Sequence, residues 1–285
     1  MSKISLKKLY KKLLDLVENY SKQETINIIQ KYLYLKFNAS NTDLLIDKFI
    51  SWNKSIEKEI VSDLNKISQG IPIQHVLNKE FFYNNLFYVN QDVLIPRPET
   101  EELVDMIIKN ESANKIKTIL DIGSGSGCIA ITLDKNIKSK VIGIDVSEKA
   151  IIIAKNNNIN VGANVTFIEK KIEEYKPDIK FDLIVSNPPY IPIEDIDCVD
   201  DNVKKFEPKL AFFVYDDPMY FYKEIIKERA KQYNLSIKDY KKRNLLKTEV
   251  SSLDVAELVI FFASTKSNKT TGAQIPIDGG NDRII

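Results

Sequence analysis

The sequence predicts an α/β protein: a parallel sheet with helices on both faces, preceded by a smaller helical unit. Three observations point there. From Thr118 onward short apolar runs alternate with helical patterns, the order that builds a parallel sheet. A glycine-rich stretch, Gly123 to Gly127, falls where the first of these strands turns into the first helix. Before residue 70 the apolar side chains recur at helical spacing.

Composition bounds the rest. The chain has 285 residues, 44% hydrophobic and 28% charged, an ordinary globular mixture with room for two units. Lys+Arg 41 against Asp+Glu 40 gives a net charge of +1, so no overall field favours nucleic acid or an anionic membrane. Cys128 and Cys198 form no CxxC, and His75 is the single histidine, which argues against a disulfide framework, a metal centre or a histidine triad. No run approaches the length of a membrane span, and the Lys-rich amphipathic start is unlike a signal peptide. A cytoplasmic protein is expected.

The elements follow in order. Leu6, Leu9, Leu13, Leu16 and Val17, then Ile26, Ile29 and Leu33, then Ile56, Ile60, Leu64 and Ile67, mark helices that Gly70 and Pro72 end. Residues 1–72 form a helical recognition unit, with Tyr32, Tyr34, Phe37, Phe49 and Trp52 expected in its core. Residues 73–100 read as a linker around a hairpin, Phe81 to Val89, turning at Asn84-Asn85. Pro98 suits the first turn of a helix over Glu101 to Ile108. Residues 101–228 hold the sheet: strands at Thr118–Asp121, Val141–Asp145, Val165–Ile168 and Phe181–Val185, with helices at Ile129–Leu133 and Glu148–Asn156.

In an open α/β sheet ligands bind at the carboxyl ends of the strands, and two such ends carry chemistry. The first is Asp121-Ile122-Gly123-Ser124-Gly125-Ser126-Gly127, followed by Asp145 at the end of the next strand, where a carboxylate can accept from ribose hydroxyls. Gly125 to Ala130 also fits the dinucleotide pattern GxGxxA. An acidic residue before the glycines, with no positive charge in the turn, disfavours a pyrophosphate and suits a cationic ligand such as the amino group of S-adenosylmethionine. The second end is Asn187-Pro188-Pro189-Tyr190. Two prolines fix φ and remove two donors, and they hold the preceding Asn187 extended. The Asn side chain and a proline carbonyl then form a rigid bracket for a planar group bearing an NH2, either an amide or the exocyclic amine of a base.

With these residues, and with Gly70 to His75, Leu94 to Glu101 and Phe206 to Ala211, residues 1 to about 226 resemble the release-factor glutamine N5-methyltransferase family. The resemblance implies a helical domain that recognises the release factor and a Rossmann-like methyltransferase domain. It implies that Asp121, Gly123, Ser124, Gly125, Ser126 and Gly127 hold the methionine part of S-adenosylmethionine, and Asp145 its ribose. It further implies that Asn187, which is also expected to touch the cofactor, and the Pro188 carbonyl grip a glutamine amide, with Pro189 and Tyr190 completing the site. No metal is implied, and a monomer acting on the glutamine-bearing loop of a release factor is expected.

Two departures stand out. Where the family carries Ser-Asp and an aromatic residue near the adenine, this chain has Lys170-Lys171-Ile172, leaving Ile172 to pack on the ring. Residues 229–285 resemble the C-terminal end of a short-chain dehydrogenase, most like the dehydrogenase half of rhamnulose-phosphate aldolase fusions. Ser251 and Asp254 there cap a helix, and Gly279-Gly280 make a turn. An adenine N6-methyltransferase is the alternative within enzymes, since a base amine fits the same bracket. A binding protein without turnover, built from a sheet with an exchanged end, is the alternative outside them.

Overall fold

The computed structural model describes residues 2–109, 115–215, 217 and 219–241. Its first part is mostly helical: α1 (Leu6–Leu14), α2 (Lys22–Phe37), α3 (Asn41–Leu45) and α4 (Lys54–Ser68). Ser21 and Glu24 close a capping box at the start of α2, satisfying two otherwise orphaned donors. The periodic residues meet as expected: Leu6, Leu9, Leu13, Val17, Ile29, Leu33, Ile60, Leu64 and Ile67 share one buried cluster. Tyr32 is buried within it and donates its hydroxyl to Asp63 at 2.8 Å, giving a polar atom inside the core a partner.

Periodicity did not reveal a two-stranded antiparallel pair, β1 (Ser2–Ser5) with β2 (Phe49–Trp52). Three residues of Ser and Lys around one Ile carry no strand signal; tertiary proximity of the two segments makes the pairing. The pair turns Phe49 outward, 61% exposed, so Phe49 is not a core residue as its aromatic character suggested.

Residues 73–100 hold more than a hairpin linker. A short helix, α5 (Ile73–Leu77), packs Ile73, Val76 and Leu77 onto the first cluster. The hairpin is β3 (Glu80–Phe82) and β4 (Asn85–Phe87), and its turn is Tyr83-Asn84, one residue earlier than the asparagine pair implied. Both turn residues have positive φ, 46° and 63°, as a tight hairpin of this hand requires. A tyrosine accepts that conformation here because Tyr83 is tied down from outside: its N–H donates to Glu101 at 2.8 Å and its hydroxyl to Asp105 at 3.0 Å. Those carboxylates lie on α6 (Pro98–Lys109), which begins at the proline.

The sheet has four parallel strands in the order β7-β6-β5-β8: β5 (Thr118–Ile122), β6 (Lys140–Asp145), β7 (Thr166–Glu169) and β8 (Leu183–Ser186). Side chains alternate between two cores. Ile119, Val141, Leu183 and Val185 join residues of α6, α7 (Cys128–Asn136) and α8 (Glu148–Val161). On the other face Leu120, Ile122, Ile142 and Ile144 pack with Ile172, Phe181 and Ile225 of α10 (Tyr220–Gln232). Between β8 and α10 lie β9 (Ile191–Pro192), α9 (Asp201–Phe206) and β10 (Phe213–Val214), with β9 and β10 pairing in parallel. The expected boundary between residues 228 and 229 falls inside α10, whose Ile225 packs against the second core. α11 (Ile237–Lys241) follows. The expected helix opening at Ser251 and the Gly279-Gly280 turn lie outside the described residues.

Candidate active site

The first chemistry-bearing turn is built from β5 and held by β6. The Gly123 and Ser124 N–H groups both donate to the Ile144 carbonyl, at 2.9 and 3.0 Å, and the Gly127 N–H returns to the Ser124 carbonyl at 2.8 Å. Gly127 has φ 81°, and a Cβ there would stand 2.9 Å from Phe167 and 3.2 Å from Ala154, so only glycine lets α7 start this close to the sheet. Gly143, in the middle of β6, was not singled out from the sequence. A Cβ on it would come 2.5 Å from the Ser124 hydroxyl and 2.6 Å from the Phe167 ring. A lone glycine within an otherwise apolar strand is the signal that marks such an approach.

Asp121 lies at the heart of this turn, 0% exposed, and neither of its carboxylate oxygens has a hydrogen-bond partner among the described residues. Burial, with the nearby charge of Asp145 adding to it, pushes its carboxyl up to about 7. Asp145 ends β6 and accepts from the Gly125 N–H at 2.8 Å and the Ser147 N–H at 2.9 Å. Its carboxyl is also raised, chiefly by burial. Beside Gly123 and Gly125 the space is open, with no atom within 4 Å of an added Cβ. Two unpartnered buried oxygens beside an open glycine cradle fit a ligand bearing an ammonium group, because such a group would supply both the missing donors and the counter-charge.

A second residue that escaped sequence reading supports the turn from behind. Asn157 on α8, fully buried, donates to the Ser126 carbonyl and to the Tyr88 carbonyl, each at 2.9 Å, and accepts from the Tyr88 N–H at 2.8 Å. One amide thus ties the cradle to the chain leaving the hairpin. In a run of three asparagines nothing in the sequence distinguishes the middle one. Ser126, a candidate contact, is itself 2% exposed.

The second turn is adjacent because β8 pairs with β5. Val185 lies opposite Asp121 and Ser186 opposite Ile122, and the Ser186 hydroxyl donates to the Ile122 carbonyl at 2.7 Å. Asn187, one residue on, therefore stands beside the glycine turn. The segment Asn187-Pro188-Pro189-Tyr190 is strung between two ladders, β8 on β5 before it and β9 on β10 after it. Pro188 is buried, Asn187 and Pro189 are half-buried, and Tyr190 is exposed. The Asn187 amide donates from Nδ2 to Thr100 Oγ1 of α6 at 3.2 Å.

The remaining motif segments converge behind this bracket. Glu207, 6% exposed, accepts from the Ile95 N–H at 3.0 Å and from Arg97 Nη2 at 2.6 Å, so the chain entering α6 hangs on one buried carboxylate. His75 feels both of these charges, and burial lowers its pKa, which keeps it neutral near pH 7.

Ile172, expected to pack on the adenine ring, lies on the second face of the sheet. Ile172 is 7% exposed and sits in the second core with Leu120, Ile142 and Phe181. It also lines a cavity with Leu120, Ile122 and Tyr175. Lys170 and Lys171 are both exposed, and the Lys170 N–H donates to the Asp145 carbonyl at 2.9 Å.

An acidic, glycine-lined cradle and an Asn-Pro-Pro bracket thus lie together at the carboxyl edge of a parallel sheet, and the comparisons with known proteins make the chain a methyltransferase. A family model described as "Methyltransferase domain" matches residues 113–259, about half of the chain, and a protein-L-isoaspartate(D-aspartate) O-methyltransferase model matches residues 40–174. The chain is 46% identical to a release factor glutamine methyltransferase of Flavobacterium psychrophilum, over 69% of this chain and 73% of the relative. It is 41% identical to that of Bacteroides thetaiotaomicron, over 64% of this chain and 66% of the relative. To that of Fusobacterium nucleatum it is 35% identical, over 93% of this chain and 78% of the relative. The chain belongs to the release factor glutamine methyltransferase family. The methyltransferase model runs past residue 228, and none of these matches carries the dehydrogenase resemblance of the tail. Among the described residues no helix is long and apolar enough to cross a membrane, and no cluster of side chains could hold a metal ion.

Proposed function

We propose that this chain transfers a methyl group from S-adenosylmethionine to the side-chain amide nitrogen of a glutamine in a peptide chain release factor. The observation that carries the reading is the pairing of β5 with β8, which sets the unpartnered Asp121 and the Asn187 bracket side by side at one sheet edge. Asp121 and the Gly123 to Gly127 turn would hold the methionine part of the cofactor, and Asp145 its ribose. When bound, S-adenosylmethionine supplies an electrophilic methyl group.

The protein's own residues supply position and polarity. An amide nitrogen is a poor nucleophile because its lone pair is delocalised into the carbonyl. Asn187 Oδ1 and the Pro188 carbonyl accept from its two N–H groups, fix the nitrogen, and stabilise the positive charge that develops on it. Holding the amide nitrogen in one place would convert a bimolecular encounter with the methyl donor into a positioned one. The alkylated nitrogen becomes acidic and releases its proton to solvent afterwards. No general base is required before attack, in keeping with a site that contains no histidine.

Residues 1–72, with α5 packed against them, form the release-factor recognition unit, and the protein works in the cytoplasm as a monomer. The test is to incubate the protein with methyl-labelled cofactor, a full-length bacterial release factor, and DNA and RNA in parallel. Label on one glutamine of the release factor, located by mass spectrometry, is expected. Label on nucleic acid alone would replace this reading with adenine methylation. Cofactor binding without any transfer would leave a binding protein.

A further inference from the structure

We infer that Thr100 is a positioning residue that decides which end of the Asn187 amide faces the substrate. This rests on the reading of Asn187 as the acceptor for the substrate N–H. The two ends of an asparagine amide are nearly equal in size and opposite in polarity, so their orientation is set by hydrogen-bond partners. If Nδ2 turned toward the substrate, two N–H donors would meet and the bracket would repel the group it must hold. Among the described residues Thr100 is the one side chain that hydrogen-bonds the Asn187 amide, taking Nδ2 at 3.2 Å. Oδ1 is thereby left to the site.

Thr100 suits the task for three reasons. It is 7% exposed, so water does not compete freely for its hydroxyl. Its Oγ1 is the acceptor of the Asn187 Nδ2 N–H in this structure, at 3.2 Å. The helix start that carries it is anchored on both sides. Glu207 holds Ile95 and Arg97 before it, the Thr100 N–H donates to the Arg97 carbonyl at 3.0 Å, and Glu101 after it receives the Tyr83 N–H. The stretch from Leu94 to Glu101 thus acts on the acceptor amide through Asn187, with no contact of its own to the reacting atoms required.

The experiment compares Thr100→Val, which keeps shape and loses the acceptor, with Thr100→Ser, which keeps the acceptor and loses a methyl. Asn187→Ala is run beside them, with release factor as substrate and cofactor affinity measured by calorimetry. Expected is a fall of about tenfold in kcat for Thr100→Val, the size of one neutral hydrogen bond. Cofactor Kd should be unchanged and Thr100→Ser should recover most of the rate. Wild-type kcat in Thr100→Val, or equal loss in the valine and serine variants, overturns the inference. Wild-type kcat in Asn187→Ala instead overturns the reading beneath it. Should the valine variant fail to fold, Thr100→Cys, close in size to serine and a weak acceptor, is judged against Thr100→Ser by the same criterion.

Discussion

The two halves of the site are held in opposite ways. The cofactor cradle is made almost entirely by its own neighbourhood: β5, its turn, the adjacent strand β6, and Asn157 behind. Its working groups are backbone and one buried carboxylate. The bracket is short and partly exposed, and distant segments hold it: β5 across the ladder, Thr100 on α6, and beyond that Glu207. The cradle therefore tolerates change poorly in the strands around it, whereas the bracket is sensitive to residues far away in sequence.

Four substitutions sharpen or break that contrast. Asn187→Ala is expected to have the largest effect, lowering kcat by about 10²–10³ as a lost charge-stabilising contact does. Cofactor Kd measured by calorimetry should stay within about twofold, since a 1.4 kcal/mol change would be tenfold. Loss of cofactor binding in this variant would join the two halves into one. Asp121→Asn should weaken cofactor binding by about 2 kcal/mol, the scale of a charge-assisted hydrogen bond.

Gly143→Ala comes next. Its new Cβ drives against Ser124 and Phe167, and overpacking of this kind costs about 1–3 kcal/mol. Urea unfolding should show that loss together with weaker cofactor binding, although the residue lies in mid-strand. Asn157→Ala leaves the Tyr88 N–H and the Ser126 carbonyl unpaired, for about 1–3 kcal/mol of stability in the same assay. A stability change without any change in cofactor affinity would show that the cradle keeps its shape unaided.

The last test is a pH dependence. Asp121 is raised from 3.8 to about 7 in the fold. Between those values the folded protein binds more protons than the unfolded chain, so stability of the cofactor-free protein declines as pH rises from about 4 to 7. Affinity for a cationic cofactor should move the other way, rising from pH 6 to 8 as the carboxylate ionises. In Asp121→Asn both trends should flatten; unchanged slopes would assign them to another group.

Much of this was legible in the residues. The helical periodicities, the four strands and the two chemistry-bearing turns emerge where periodicity is strong or where Gly and Pro leave few backbone choices. Other features were not. The hairpin turns one residue early because Glu101 and Asp105 hold Tyr83 in a conformation that tyrosine alone avoids. Phe49 faces outward because a pairing of two segments distant in sequence, Ser2 with Trp52 at one end and Ser5 with Phe49 at the other, dictates its side of the strand. Ile172 fills a core that only the packing of α10 on the sheet creates.

The sequence by itself determined which atoms are available: an acidic residue before a glycine turn, a second carboxylate at a strand end, and an asparagine stiffened by two prolines. These depend on local geometry, which Gly and Pro impose within a few residues. Only the tertiary structure decided that the turns are neighbours, that Asp121 is buried without a partner, and that Thr100 and Glu207 stand behind Asn187. Strand order, burial and long-range hydrogen bonds arise from how separated segments pack, and no local pattern encodes them.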